Sequence, residues 1–193
     1  MGGDFLDIPY TLIRSSRKTL SLEIRPDGSV LVRAPRRLSE RAIRDFVASR
    51  EHWLREKLRK FESRPALPTL TEAELRHLKQ QAKIFLSHRA ALYAPRVGVG
   101  YEKITIRAQR TRWGSCSREG NLNFNCLLML TPLEIRDYVV VHELCHRKHM
   151  NHSPSFWAEV ARVCPEYAAY RQWLKDNGSS LIARLPAENR FDG

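Results

Sequence analysis

The chain has 193 residues, a formal net charge of +12, 42% hydrophobic residues and four tryptophans. That length allows one domain, or one domain with an appendage, and a real core without disulfide support. The composition excludes a disordered chain. The longest apolar stretches, Cys126–Leu130 and Tyr138–Val141, are far too short to span a bilayer, so no membrane partner is expected.

So basic a chain favours anionic partners: nucleic acid, nucleotides or an acidic protein surface. A solvated basic face with no specific partner explains the charge equally well. The four cysteines, at 116, 126, 145 and 164, show no CxxC spacing. Met1-Gly2-Gly3-Asp4-Phe5 lacks the basic and then apolar pattern of a secretory signal, and Leu6 stands where a myristoylation motif wants Ser or Thr. The expectation is a cytoplasmic protein with reduced, mostly buried thiols.

In chain order, Ile8–Arg14, Thr19–Arg25 and Ser29–Ala34 read as strands, short and rich in aliphatic and β-branched residues. Pro26-Asp27-Gly28 is a turn between the last two, and Pro35 ends the third. Ser39 caps a helix expected to run to about Phe61, with Ile43, Phe46, Val47, Leu54, Leu58 and Phe61 on its apolar face. Ser63–Pro68 reads as a linker, since two prolines in four residues disfavour helix and central strand alike.

Thr71 caps a second long helix, to about Tyr93. Lys103–Ala108 and Asn121–Met129 then read as strands. The latter alternates, with Leu122, Phe124, Cys126 and Leu128 on one face and Asn121, Asn123 and Asn125 on the other. Helices follow near Pro132–Met150, Ser153–Val163 and Glu166–Asp176, with Gly178 closing the last. The expected organisation is an N-terminal strand-and-helix region over 1–64, a metal-binding domain over 71–180 and a frayed tail over 181–193.

The stretch that carries chemistry is His142-Glu143-Leu144-Cys145-His146, an HExxH on a predicted helix. At roughly 100° per residue, positions four apart share one face, so both imidazoles can hold a single Zn²⁺. Glu143 is rotated off that axis and can serve a water rather than the metal. Two core histidines on a buried helix would give the same letters, but a third histidine nearby argues against that. His149 would lie on the same face if the helix continued, about 10 Å along it, too far for one ion. His152 is preferred: Ser153-Pro154 starts a new helix, which places His152 at a reversal able to point back. Cys145 diverges from both histidines and reads as packing.

Arg112-Trp113-Gly114-Ser115-Cys116, Tyr138 through His146, Asn151-His152-Ser153 and Phe156-Trp157, in this order, closely resemble the YgjP-like family of predicted zinc metallopeptidases, itself distantly similar to SprT-like proteases. The resemblance covers most of the chain. It implies an α+β fold with a zincin-like core: a small antiparallel sheet and an active-site helix, beside an N-terminal β-strand and helix subdomain. It implies His142, His146 and His152 as ligands of one Zn²⁺, and Glu143 as the catalytic residue. Arg147 departs from the family, which often has an aliphatic residue there.

Further candidates carry less weight. Arg112 can bind an anionic group or form a loop salt bridge. Asn123 and Asn125 can hydrogen-bond a substrate that adds to their strand, or face solvent. Trp113 and Trp157 read as core, and Glu159 as a surface residue rather than a partner of a ligand histidine.

Three functions compete. The first is a zinc peptidase acting on a peptide or protein. The second is a metal-dependent phosphohydrolase acting on nucleotides or another anionic small molecule, against which stands the lack of a carboxylate cluster. The third is a nucleic-acid-associated protein with a structural metal, since residues 1–64 carry 15 Lys and Arg against 9 Asp and Glu, 15 − 9 = +6. No motif supports sequence-specific nucleic-acid reading, so only non-specific binding is expected.

Overall fold

The structure, a computed structural model, describes residues 8–25, 28–62 and 67–186, with backbone only at 60–62. The chain divides into two compact units, residues 1–66 and 67–193. Of the expected linker, residues 63–66 lie outside the described residues.

The first unit holds a three-stranded sheet, β1 (Tyr10–Ser15), β2 (Ser21–Ile24) and β3 (Val30–Pro35), in the order β1-β3-β2. β1 runs parallel to β3, with Leu12 opposite Val32, and β2 runs antiparallel to it. The central position of β3 explains its sequence: Val30, Leu31 and Val32 are buried in succession, the continuous apolar run of a strand covered on both faces. Gly28 takes a φ of +83° before β3 and its N–H donates to the Arg25 carbonyl at 2.9 Å. Pro26 and Asp27 of the expected turn lie outside the described residues.

Ser39 caps as expected, its hydroxyl accepting from the Ala42 N–H at 3.2 Å. The single helix expected beyond it is instead two, α1 (Glu40–Ala48) and α2 (Glu51–Glu62). The break lies at Ser49, whose hydroxyl donates back to the Phe46 carbonyl at 2.7 Å, while the Arg50 N–H donates to Val47. This local bonding competes with the helical ladder. Ile43, Val47 and Leu54 still share one core with Val30, Val32 and Ala34.

The second unit begins with α3 (Glu72–Val97), longer than expected. Thr71 and Glu74 form a reciprocal capping box, and Gly98, at φ +77°, ends the helix. A sheet follows, β4 (Ile104–Arg107), β5 (Gly114–Cys116) and β6 (Leu122–Asn125), in the order β4-β6-β5. It is mixed rather than purely antiparallel: β5 opposes β6, but β4 runs parallel to it. The strand expected through Met129 ends at Asn125, where Cys126–Leu130 winds into a 3-10 helix. Asn125 directs that change, its side-chain oxygen accepting from the Leu127 N–H at 3.1 Å.

Then come α4 (Leu133–Cys145), α5 (Pro154–Val163) and α6 (Tyr167–Ala183). α4 stops five residues short of the expected Met150. Ala82, Ala90 and Ala94 lie buried along α3 and let α4 pack closely. Arg89 of α3 donates to both carboxylate oxygens of Asp137 on α4, and the Tyr93 hydroxyl donates to the same carboxylate at 3.0 Å. Gly178 does not end α6. It sits inside the helix, where an added Cβ would stand 3.1 Å from the Trp113 indole, so its role is close packing. Nor is the chain frayed after Ser180: Leu181, Ile182 and Leu185 are buried in the core. Residues 187–193 lie outside the described residues. No helix among the described residues is long and apolar enough to cross a membrane.

Candidate metal centre

α4 is buried around its whole circumference from Tyr138 to Val141. It therefore crosses the core and delivers its last turn, with His142 and His146, to one rigid place. His146 is the C-cap, and the turn beyond it folds back so that the His149 carbonyl lies 3.0 Å from His146 Nδ1. A carbonyl only accepts, so Nδ1 carries the proton and Nε2 keeps its lone pair. Ser153 caps α5 by accepting from the Phe156 N–H at 3.3 Å, and Pro154 fills the first turn. This cap fixes His152 just outside α5 and turns its ring back toward α4.

One nitrogen from each of His142, His146 and His152 lies within 4.8 Å of the others, and Nε2 of His152 stands 3.1 Å from Nε2 of His142. Aromatic rings brace the cluster. Phe156 stacks on His146 at 4.5 Å between centroids, Trp157 stacks on His152 at 5.5 Å, and Tyr167 stacks on Trp157 at 5.2 Å. Tyr138 meets His142 edge-on at 5.8 Å.

The cluster fits a metal. His142 turns Nε2 toward His152, while its Nδ1 is buried without a hydrogen-bond partner. Burial, with the charges of His146, His152 and Arg171, pushes the His142 pKa down to about 3, which keeps the imidazole neutral and able to ligate. Nitrogens bound to one tetrahedral zinc at about 2.0–2.1 Å stand roughly 3.3 Å apart, close to the His142–His152 spacing. Three imidazoles with no carboxylate are a donor set suited to zinc.

Glu143 is 5% exposed, and burial pushes its pKa up to about 8, against the opposing pull of Arg112. Its side chain lies over Gly114: a Cβ at that position would stand 2.6 Å from Glu143 Cγ and Oε1. Glycine is therefore required where β5 meets the carboxylate.

The remaining expected residues are placed as follows. Arg112 is exposed and makes no ion pair among the described residues; its backbone carbonyl accepts from Asn125 at 3.1 Å, while its charge acts on Glu143. Asn125 is not a substrate contact. It is 1% exposed, and its amide donates to the Gln109 carbonyl at 2.6 Å as well as to Arg112, so its polar atoms already hold the loop before β5. Asn123 is half-buried and donates to the Ser115 hydroxyl at 3.1 Å, across to β5. Their strand, β6, is paired on both sides, so a peptide cannot add to it; β4 and β5 are the outer strands of the sheet.

His149 contributes its carbonyl rather than its ring. Cys145 lies outside the cluster, fully buried, with its thiol pushed up to about 12 by burial. Glu159 bonds Lys148 and Arg162, not a histidine. Arg147 donates to the Arg118 and Gly100 carbonyls at 2.6 and 3.1 Å, tying the turn after α4 to the β5–β6 hairpin. Trp157 packs against the core as expected and also forms a wall of the cluster.

The roles of Gly114, Phe156 and Arg171 had no signal of their own in the sequence beyond the motifs that contain the first two. Each acts through a contact with residues far along the chain.

No curated protein matches the sequence. A solved structure, that of the metallopeptidase zymogen abylysin from Pyrococcus abyssi, is similar at 23% identity over 47% of this chain and 92% of its own, with a TM-score of 0.43. The family model described as YgjP-like, metallopeptidase domain, matches residues 18–76 and 69–177. Those matches take in most of both units, and the second runs from before the Gly114 strand through the histidines of α4 to α6; the chain belongs to the YgjP-like metallopeptidase family.

Proposed function

We propose that this chain is a zinc-dependent peptidase in which His142, His146 and His152 hold one ion and Glu143 is the general base. The observation that carries the reading is the convergence of three imidazole nitrogens within 4.8 Å of one another, next to a buried carboxylate. When bound, the ion supplies a Lewis acid for the scissile carbonyl and a positive charge that brings the pKa of water toward neutrality and favours an ionised Glu143.

The chain's own residues do the rest. Glu143 takes a proton from the attacking water on its carboxylate oxygen and returns it to the leaving amine nitrogen. Arg112 helps by opposing the rise that burial imposes on Glu143, which favours the ionised form a base requires. The His149 carbonyl fixes the tautomer of His146. The outer edge of β5 is where an extended peptide adds as a further strand, since Gly114 on that strand touches Glu143.

The test is metal content and casein hydrolysis of the full chain beside two variants. Glu143→Gln keeps the metal and loses about 10²- to 10⁴-fold in turnover; His152→Ala loses the metal. Unchanged turnover in Glu143→Gln rules the mechanism out. Nucleoside triphosphates assayed in parallel, with and without chelator, test phosphohydrolysis. The all-imidazole donor set argues against that reading, because Mg²⁺ prefers oxygen ligands.

A further inference from the structure

Most arginines that stitch the second unit together are occupied. Arg89 is paired with Asp137 and Arg162 with Glu159. Arg110 donates to the Leu185 and Pro186 carbonyls, Arg136 to Met129 and Thr131, and Arg147 to Gly100 and Arg118. Among the described residues, Arg96, Arg107, Arg112, Arg118 and Arg171 are not so paired; of these, Arg112 and Arg171 are tied to the histidine cluster by their neighbours. Among the described residues, neither Arg112 nor Arg171 has a carboxylate partner or a hydrogen bond from its guanidinium, and both are exposed. These two also stand beside the histidine cluster.

Arg171 lies on α6 over the face of Trp157, 4.8 Å from the ring centroid, and Trp157 in turn stacks on His152. The guanidinium carbon sits over the indole within cation–π range, and its N–H groups have no protein partner among the described residues. Its charge also reaches His142 and Tyr138. Arg112 lies two residues before the Gly114 that touches Glu143. The two are linked through α6: Gly178, seven residues and nearly two turns beyond Arg171, packs on Trp113, the neighbour of Arg112. Arg112 is thus tied through Gly114 to Glu143, and Arg171 through Trp157 to His152.

We propose that Arg112 and Arg171 form an anion subsite around the metal centre and select peptides that carry a carboxylate next to the bond to be cut, either an acidic side chain or a free C-terminus. This rests on the peptidase reading above and names its substrate class. The two arginines are held in position, one by an aromatic platform and the other by the loop that Asn125 anchors, with their donors left for a ligand.

The test is binding to the full-length Glu143→Gln chain, so that it does not depend on turnover, with tryptophan fluorescence reporting through Trp157. The probes are matched blocked peptides: one with an interior Glu and an amidated end, its Gln counterpart, and the Gln peptide with a free C-terminal carboxylate. One or both carboxylate peptides bind at least about tenfold more tightly than the neutral one, and which of the two does so identifies the source of the anion. Arg171→Ala and Arg112→Ala each reduce that ratio severalfold, and Arg171→Lys restores part of it by returning the charge. A merely structural role for Arg171 would weaken all three peptides alike and leave the ratio unchanged. Equal affinities for all three overturn the proposal, as does a ratio that survives the double alanine variant, or binding of a nucleoside triphosphate where no peptide binds. In the active chain the acid preference appears in KM; absent turnover with the preference intact removes only the peptidase reading.

Discussion

α4 carries two buried polar clusters five residues apart, and the fold treats them oppositely. At Asp137 both carboxylate oxygens accept from Arg89 and one also accepts from the Tyr93 hydroxyl. At His142 and Glu143, His142 Nδ1 has no partner and the carboxylate is pushed up to about 8 by burial. A buried polar group left unsatisfied costs about 1–3 kcal/mol, so the second cluster is tolerated for something other than stability. The first holds α3 to α4; the second leaves a polar atom unsatisfied in the histidine cluster. Neighbourhood on one helix thus says little about role, whereas the count of satisfied donors and acceptors separates scaffold from site.

The largest expected effect comes from disturbing the second cluster without touching its ligands. Gly114→Ala puts a Cβ 2.6 Å from Glu143 Cγ and Oε1, so the carboxylate must move. A displacement of about 1 Å costs on the order of 100-fold in rate. Turnover should fall by that order while the zinc stoichiometry stays at its wild-type value. The loss of thermal stability should vanish when Glu143 is also made Ala, because the clash is then gone. Loss of metal along with turnover would show that Gly114 supports the histidines instead, and would erase the separation between base and ligands.

Asp137→Ala attacks the satisfied cluster and sharpens the contrast from the other side. It leaves Arg89 partly buried without its counter-charge. With both side chains under 20% exposed, a loss of about 2 kcal/mol is expected in urea unfolding. Below the unfolding transition the variant should keep its metal and its turnover. A fall in activity greater than the unfolded fraction explains would mean that the two clusters are coupled, and the division argued above would fail.

How much of this was legible beforehand depends on range. His142, Glu143 and His146 lie within five residues, and the helical period alone puts the two imidazoles on one face. His152 was legible because Ser153-Pro154 announces a new helix, so the geometry at 152 was a local matter as well. The Thr71 cap and the β1–β3 pattern are local in the same sense. Asn125 was misread because alternation tells which face a residue occupies, not whether that face is wet: its amide turns inward to carbonyls 13 and 16 residues away. Gly178 was misread for a related reason, since glycine ends helices more often than it admits an indole from 65 residues earlier. Arg171 carried no mark, because its meaning comes from Trp157 beneath it. Local chemistry writes itself into spacing; contacts between distant segments do not.

The smallest effect concerns the brace of the turn between the ligands. Glu159 on α5 accepts from Arg162 at 2.6 Å and from Lys148, in the turn after His146, at 2.8 Å. The Arg162 and Lys148 hydrogen bonds, in that order, hold its pKa down to about 2. A carboxylate whose folded pKa lies below its unfolded value of about 4.5 adds stability that is fully present above about pH 4.5 and fades as the pH falls toward 2. With metal removed by chelator, wild type should therefore be more stable than Glu159→Gln at pH 6, and the gap should narrow steadily below pH 4.5. Exposed partners and salt screen such pairs, so the gap should also shrink in high salt at pH 6. A gap that is constant from pH 6 to 3 would mean that Glu159 acts through packing and not through charge, and that the turn carrying His146 toward His152 is held by Ser153, Phe156, the His149 carbonyl and the Arg147 bonds instead.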